Sequence, residues 1–225
     1  MSYGIMLDMS MDPMEETRIK KKYSTLIREL TKKYHFTQVE VESLILIYHK
    51  IRKDGDIKQS GITKVQFLDV LHNGFDMTED TLIDRIFTAL ESHGTAHGNI
   101  ISMETWISAM SLFLRGTLEE KIDHCFAVYN LMGDGMLGRD SIFTLLRKSL
   151  ISSGSDDDAE ESAKDMVEIL TKKMDIDRDG KISFNDYKTT VMYQPMLLEC
   201  FGQCLPSRTA VHAFATTVFI DRGRM

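Results

Sequence analysis

Asp175-Ile176-Asp177-Arg178-Asp179-Gly180-Lys181-Ile182-Ser183-Phe184-Asn185-Asp186 is the stretch on which the fold turns. Aspartates stand at its first, third, fifth and twelfth positions, and a glycine at its sixth. A hard divalent cation takes about six to eight oxygen ligands, and alternate residues of a tight loop point inward to supply them. In that pattern Asp175, Asp177 and Asp179 offer carboxylates, Lys181 offers its backbone carbonyl, Ser183 acts directly or through water, and Asp186 closes the site. Gly180 permits the sharp turn at positive φ. Ile182, at the eighth position, is placed to form a short β-bridge to a partner loop. The stretch is flanked by helical patterns, Ser162 to Met174 before it and Tyr187 to Met192 after it.

Spacing, glycine and flanking helices together match an EF-hand calcium loop. The expected ligand set is Asp175, Asp177, Asp179, Lys181 and Asp186, holding one Ca²⁺ with Mg²⁺ as a competitor. One departure bears on affinity. The twelfth position of such loops is usually glutamate, long enough to bring both oxygens to the ion, and Asp186 is one methylene shorter. Binding through one oxygen lowers the coordination number toward six, which weakens calcium and narrows its advantage over magnesium.

Working outward, the helix–loop–helix unit recurs. In four loops a β-branched or leucine residue precedes a large apolar residue by five places: Ile62/Phe67, Ile101/Trp106, Leu137/Ile142 and Ile182/Tyr187. Four copies of one supersecondary unit account for this. Thr37-Gln38-Val39-Glu40 and Thr117-Leu118-Glu119-Glu120 are capping boxes, in which threonine and glutamate each satisfy a free N–H at a helix start. The other three loops lack the ligands. The third has Asn130, Met132 and Asp134 at its odd positions, Gly135 at the sixth and Ser141 at the twelfth. A thioether is a poor ligand for a hard ion, and serine does not chelate as a carboxylate does. Leu137 remains suited to pair with Ile182. The second loop, Glu91 to Thr105, has no carboxylate triad, and the first has Gly55, Ile57 and Gln59 where acids are needed. The expectation is therefore an all-α protein of two EF-hand lobes, with short β-bridges between paired loops and one ion per molecule.

The expected layout is a flexible or weakly helical segment at 1–24, an N-lobe of two degenerate hands at 25–114, a degenerate third hand at 117–152, a functional fourth hand at 162–193 and a tail at 194–225. Ser152 to Glu161, rich in Ser, Gly and Asp, reads as a solvated linker. The tail carries Leu197, Leu198, Phe201, Val211, Phe214 and Val218, too apolar for a disordered end. It either folds back into the C-lobe groove or serves as an external docking segment.

Composition excludes several function classes. The 225 residues suffice for one large domain or two small ones, and a net charge of −7 argues against a nucleic-acid binder, which needs a dense basic face. No run reaches the roughly 18 apolar residues of a membrane span, and the start lacks the apolar core of a signal peptide. Ser2 stands where myristoylation needs glycine, so no stable membrane anchor is expected. Three cysteines, Cys125, Cys200 and Cys204, suggest free thiols in a reducing, cytoplasmic setting. Cys200 and Cys204 are four apart, but Gly202 and Pro206 disturb the helical turn that would join them. His93 and His97 lack a third metal ligand and read as solvated. Met103, Met110, Met166, Met174 and Met192 read first as core, although methionine also suits adaptable target grooves. There is no phosphate-binding loop, zinc-protease pair or nucleophile elbow, so no catalytic residue is assigned and an enzyme is not expected.

The run Ser111-Leu112-Phe113-Leu114-Arg115-Gly116-Thr117-Leu118-Glu119-Glu120-Lys121 resembles the junction between lobes in neuronal calcium sensors, and more closely still that of the calaxin family, calcium sensors of ciliary outer dynein arms. Gly74-Phe75-Asp76-Met77-Thr78-Glu79-Asp80, Lys172-Lys173-Met174-Asp175 with aspartate at the twelfth loop position, and Phe201-Gly202-Gln203-Cys204-Leu205-Pro206 also resemble that family. The resemblance covers roughly Leu26 to Phe219 and implies a calcium-responsive regulator or adaptor in the axoneme of a cilium or flagellum. Its implied partner is the axonemal dynein heavy chain or its docking complex. Family members usually have acidic second and third loops, and here both are broken, which sets ion binding apart from switching. The alternatives are a neuronal-sensor-like regulator of a channel or kinase, and a helical scaffold indifferent to calcium.

Overall fold

Short polar side chains set most of the helix starts in the computed structural model, which describes residues 11–53, 60–92, 99–151 and 156–219. Asp12 accepts from Met14 N ahead of α1 (Pro13–Lys22). Then come α2 (Ser24–Lys33) and α3 (Gln38–Lys53). Thr37 and Glu40 form the expected box at the start of α3, with Glu40 Oε2 accepting Thr37 N at 2.8 Å. After β1 (Ile62–Thr63), Thr63 and Gln66 cap α4 (Lys64–Phe75) reciprocally. There follow α5 (Asp80–Ser92), β2 (Ile100–Ile101), α6 (Met103–Arg115) and α7 (Leu118–Tyr129), the last opened by the Thr117/Glu120 box. The chain continues through β3 (Met136–Leu137), α8 (Arg139–Ile151), α9 (Asp156–Met174), β4 (Ile182–Ser183) and α10 (Phe184–Tyr193). A single 3₁₀ turn (Pro195–Leu197) and α11 (Arg208–Val218) complete it. Among the described residues the fold is all-α, and its four strands form two antiparallel pairs.

The register of those pairs is the one the loop alignment expects. Ile62 faces Ile101, and Leu137 faces Ile182. All four side chains are fully buried, so each pair of loops is joined by backbone hydrogen bonds and by an apolar contact beneath them. This pairing ties the third loop, which lacks the ligands, to the fourth.

The chain divides into two units. The first comprises 1–78, 90–116 and 206–225, and its core gathers residues of α2, α3, α4, α6 and α11. Trp106 is fully buried, meets Phe67 edge-on and donates its indole N–H to Leu44 O at 3.1 Å. Phe75 lies between Phe113, edge-on, and Phe214 of α11, stacked with ring centroids 4.7 Å apart. The terminal helix therefore occupies an apolar groove of this first unit, bounded by α3, α4 and α6. The sequence leaves the tail either in the C-lobe groove or as an external docking segment; the tail is instead split, and only its first part, to Leu205, belongs with the C-lobe hands.

The second unit comprises 79–89 and 117–205. Its aromatic core joins α7 to α10 and to the first part of the tail. Phe126 meets Phe184 and Tyr187, and Tyr129 meets Tyr187 and Phe201. Arg85 of α5 donates to Val128 O at 3.2 Å and Asn130 O at 2.7 Å, placing a cation on the carbonyl end of α7.

One further expectation needs correction and another is sharpened. In the segment expected to be flexible or weakly helical, α1 forms, with Ile19 buried and Lys20 paired to Glu16 and Glu42. Asp12 as cap, Pro13 in the first turn, acids early and lysines late make this a stable helix once Ile19 has a core to enter. The stretch that reads as a linker is helical from Asp156 onward, with Ala159 and Ala163 buried, because the acids that suggest solvation also suit a helix N-terminus. Gly55, Ile57 and Gln59 of the first loop, and His93 and His97 of the second, lie outside the described residues.

Candidate metal centre

The fourth loop runs from Asp175, the residue after α9, into α10. Its turn is built by the aspartates themselves. Asp175 accepts Asp179 N at 3.1 Å and Gly180 N at 2.9 Å, Asp177 accepts Asp179 N at 3.3 Å, and Asp179 accepts Lys181 N at 2.8 Å. Gly180 sits at φ 88°, the left-handed geometry that the sixth position needs. These bonds hold three side chains on one side of the loop, and carboxylate atoms of Asp175, Asp177 and Asp179 lie within 4.8 Å of one another. No other such acidic, histidine or cysteine group is found among the described residues.

The electrostatics match the chemistry. A backbone hydrogen bond from Asp179 pulls the Asp177 carboxyl down, but burial, the charges of Asp179 and Asp186 and the proximity of Asp175 outweigh it, so the group sits above its ordinary value. Crowded anions that repel one another are what a divalent cation relieves, and an all-oxygen donor set suits a hard one. The residues present fit a calcium or magnesium ion.

Lys181 is exposed, and its backbone N–H helps close the turn. Asp186 stands apart from the cluster of three. It is buried, and its Oδ2 accepts Ser183 N at 2.9 Å and Ser183 Oγ at 2.6 Å, while its own N–H bonds Ser183 Oγ. The short side chain at the twelfth position thus serves as the N3 residue of a capping box on α10. The sequence expects Asp186 beside the other three carboxylates; here Ser183 holds it outside their cluster.

The third loop keeps the turn without the charge. Gly133 and Gly135 take φ 73° and 79°, Asn130 accepts Gly133 N, and Asp134 accepts Met136 N. Met132 points outward, 77% exposed. The cavity beside it, about 370 Å³, is lined by Asp134, Asp140 and Ser141 and also by Arg139 and Lys181, so its acids are matched by bases. Residues that sequence reasoning passes over include Arg85, which fastens the end of α7, and Glu199, whose Oε1 accepts Cys204 N and Leu205 N. No local pattern marks either one, since their partners are set by the tertiary fold.

Comparison with known proteins agrees with this geometry. A family described as an EF-hand domain pair matches residues 119–192. Calaxin of Xenopus laevis is 40% identical over 210 residues, covering 92% of this chain and 98% of the relative. This chain belongs to the calaxin family. Calaxin of Homo sapiens is 39% identical over 207 residues, covering 90% of this chain and 96% of the relative. A recoverin family protein of Dictyostelium discoideum, 23% identical over 201 residues, is a more distant relative, with 79% of this chain and 86% of its own covered. As a member of the calaxin family with an EF-hand pair, the protein is a calcium-binding one. No helix among the described residues is long and apolar enough to cross a membrane.

Proposed function

We propose that this protein binds one divalent cation through Asp175, Asp177, Asp179, the Lys181 carbonyl and Asp186, and uses it to regulate or anchor axonemal outer-arm dynein in a cilium or flagellum. The observation that carries the ion assignment is the fourth loop's cluster of three carboxylates, beside a third loop of the same shape that lacks them. The dynein heavy chain or its docking complex is the partner that membership in the calaxin family favours. Ca²⁺ is the ion of interest, and Mg²⁺ competes because Asp186 offers one short carboxylate, already shared with Ser183. Bound charge cancels the repulsion among the aspartates and draws the loop around the ion, and the angle between α9 and α10 follows.

The test is calorimetric titration of calcium at physiological magnesium, on wild type, Asp175→Ala and Asp186→Glu. One site in wild type, none in Asp175→Ala and tighter binding in Asp186→Glu are expected. A dissociation constant near ~10⁻⁶ M lies in the sensor range. Absence of heat in wild type, or a second site surviving in Asp175→Ala, sinks the assignment. Co-sedimentation with demembranated axonemes, against lipid vesicles, separates the axonemal role from a membrane-bound regulator. Equal axoneme binding with and without calcium identifies a constitutive adaptor.

A further inference from the structure

Away from the fourth loop, two nucleophilic side chains meet in the core of the second unit. Cys125 of α7 and Cys204 of the stretch before α11 are both fully buried, with Sγ atoms 2.9 Å apart. Cys204 Sγ is also 3.3 Å from Tyr129 Oη, whose O–H donates to Gly202 O at 2.6 Å. The backbone around Cys204 is pinned. Phe201 is fully buried, Tyr187 donates to Leu198 O, and Glu199 Oε1 receives the N–H groups of Cys204 and Leu205. Cys200, the neighbour that sequence spacing first suggests for Cys204, instead lies 3.8 Å from the thioether of Met174.

A disulfide has sulfurs about 2.05 Å apart, so these two need to approach by roughly 0.9 Å. The fold has already brought together residues 79 apart in sequence. Closing so long a loop is the large entropic part of forming a bridge, and it is complete before any oxidation.

We propose that Cys125 and Cys204 form a redox-modifiable dithiol, which a peroxide converts to an intramolecular disulfide fastening the Leu198–Leu205 stretch to α7. Cys204 lies on the non-helical stretch, so local opening of that stretch exposes it first. Burial pushes the Cys125 thiol well up, with the neighbouring Cys204 adding to the effect, which suits Cys125 to the second step. Cys204 gives up its thiol proton as its sulfur attacks one peroxide oxygen, the O–O bond breaks, and the departing hydroxide takes up that proton and leaves as water, giving a sulfenic acid. The Cys125 sulfur then attacks that sulfenic sulfur, the S–O bond breaks, and the hydroxide takes the Cys125 proton and leaves as a second water. Two thiols are oxidised by two electrons in total, and one hydrogen peroxide is reduced to two waters. The chemistry is slow while the stretch is closed, so its rate reads how often the stretch opens.

The full chain, reduced and then treated with hydrogen peroxide, is alkylated, digested without reductant and mapped by mass spectrometry. Expected are a peptide pair joined through Cys125 and Cys204, a fall in free thiols from three to one, and full reversal by dithiothreitol. Amide exchange across residues 198–205 should slow by roughly tenfold or more in the oxidised form. Cys200→Ser should leave the cross-link unchanged. Cys125→Ser should abolish it, and the wild-type and Cys200→Ser maps decide the matter even if Cys125→Ser does not fold. A Cys200–Cys204 bridge, a bridge between molecules, or sulfinic acids without any bridge overturns the proposal.

Discussion

Replacing Phe214 with alanine tests whether α11 belongs in the first unit's core in solution. Phe214 is 1% exposed, stacks on Phe75 with an interplanar angle of 18°, and covers the face of α4 near Gly74. A buried phenylalanine removes roughly 150–250 Å² from water. At about 25 cal/mol per Å² that is an upper bound of ~4–6 kcal/mol. A partly compact unfolded chain lowers the figure, and large-to-small changes at such sites cost about 3–5 kcal/mol. The expected loss is ~3–4 kcal/mol. The chain has a single tryptophan, Trp106, and it lies in the same unit, so its fluorescence follows that unit through urea unfolding. With a slope of about 2 kcal/mol/M, the midpoint should fall by roughly 1.5–2 M. Thr209→Ala, on the exposed face of α11, should stay within about 0.5 kcal/mol of wild type. If Phe214→Ala shifts the midpoint no more than Thr209→Ala, the helix is not packed in that groove and the reasoning fails.

Three other perturbations are expected to read out separate contacts. Arg115 donates to Glu40 and to His35 O and lies over the rings of Phe36 and Phe219, so Arg115→Ala should cost the first unit about 1–2 kcal/mol in the same urea assay, and Arg115→Lys should recover little of it. Gly202 sits at φ 134°, where an added Cβ falls 2.5 Å from Leu82 Cδ1, so Gly202→Ala should lower stability by about 1–3 kcal/mol in thermal melts followed by circular dichroism. Burial, with the charges of Arg52 and Lys22 adding and that of Glu15 opposing, holds His49 down at about 4 from an ordinary 6.5. The folded form therefore binds fewer protons between those values, and its stability is present above about pH 6.5 and lost as pH falls through it toward 4. After discounting for the partial exposure of the ring the loss is about 1–2 kcal/mol, and it should vanish in urea midpoints of His49→Gln measured between pH 7 and 5.

The carboxylate cluster of the fourth loop was legible because Asp175, Asp177 and Asp179 alternate within five residues, where backbone geometry alone decides which side chains converge. The β-bridge register was legible for the same reason, since Leu137 and Ile182 hold equivalent places in their loops. The helix starts at Thr37 and Thr117 were written in their capping boxes. Helix α1 is also locally encoded, because Asp12, Pro13 and the charge gradient from Glu15 to Lys22 are local signals, but five methionines without a clear period mask them. The site of α11 and the meeting of Cys125 with Cys204 were not legible. Both depend on which apolar surface a distant segment finds, and periodicity says only that a face is apolar, not what covers it. Asp186 was half legible: its reduced reach follows from its length, while its hold on Ser183 required the geometry of the cap.

The first unit is drawn from three separate stretches of chain, and the last of them supplies α11. During synthesis, then, the part of the protein that begins first is the part that finishes last. Until the final helix clears the ribosome, the groove bounded by α3, α4 and α6 is open, with Phe75 lacking its stacking partner. The second unit, whose segments end at Leu205, has all of its residues earlier. A stop codon or frameshift after Leu205 would therefore spare the fourth loop and its three clustered aspartates and leave an unfilled apolar cleft at the other end of the sequence, a form suited to chaperone capture and proteolysis.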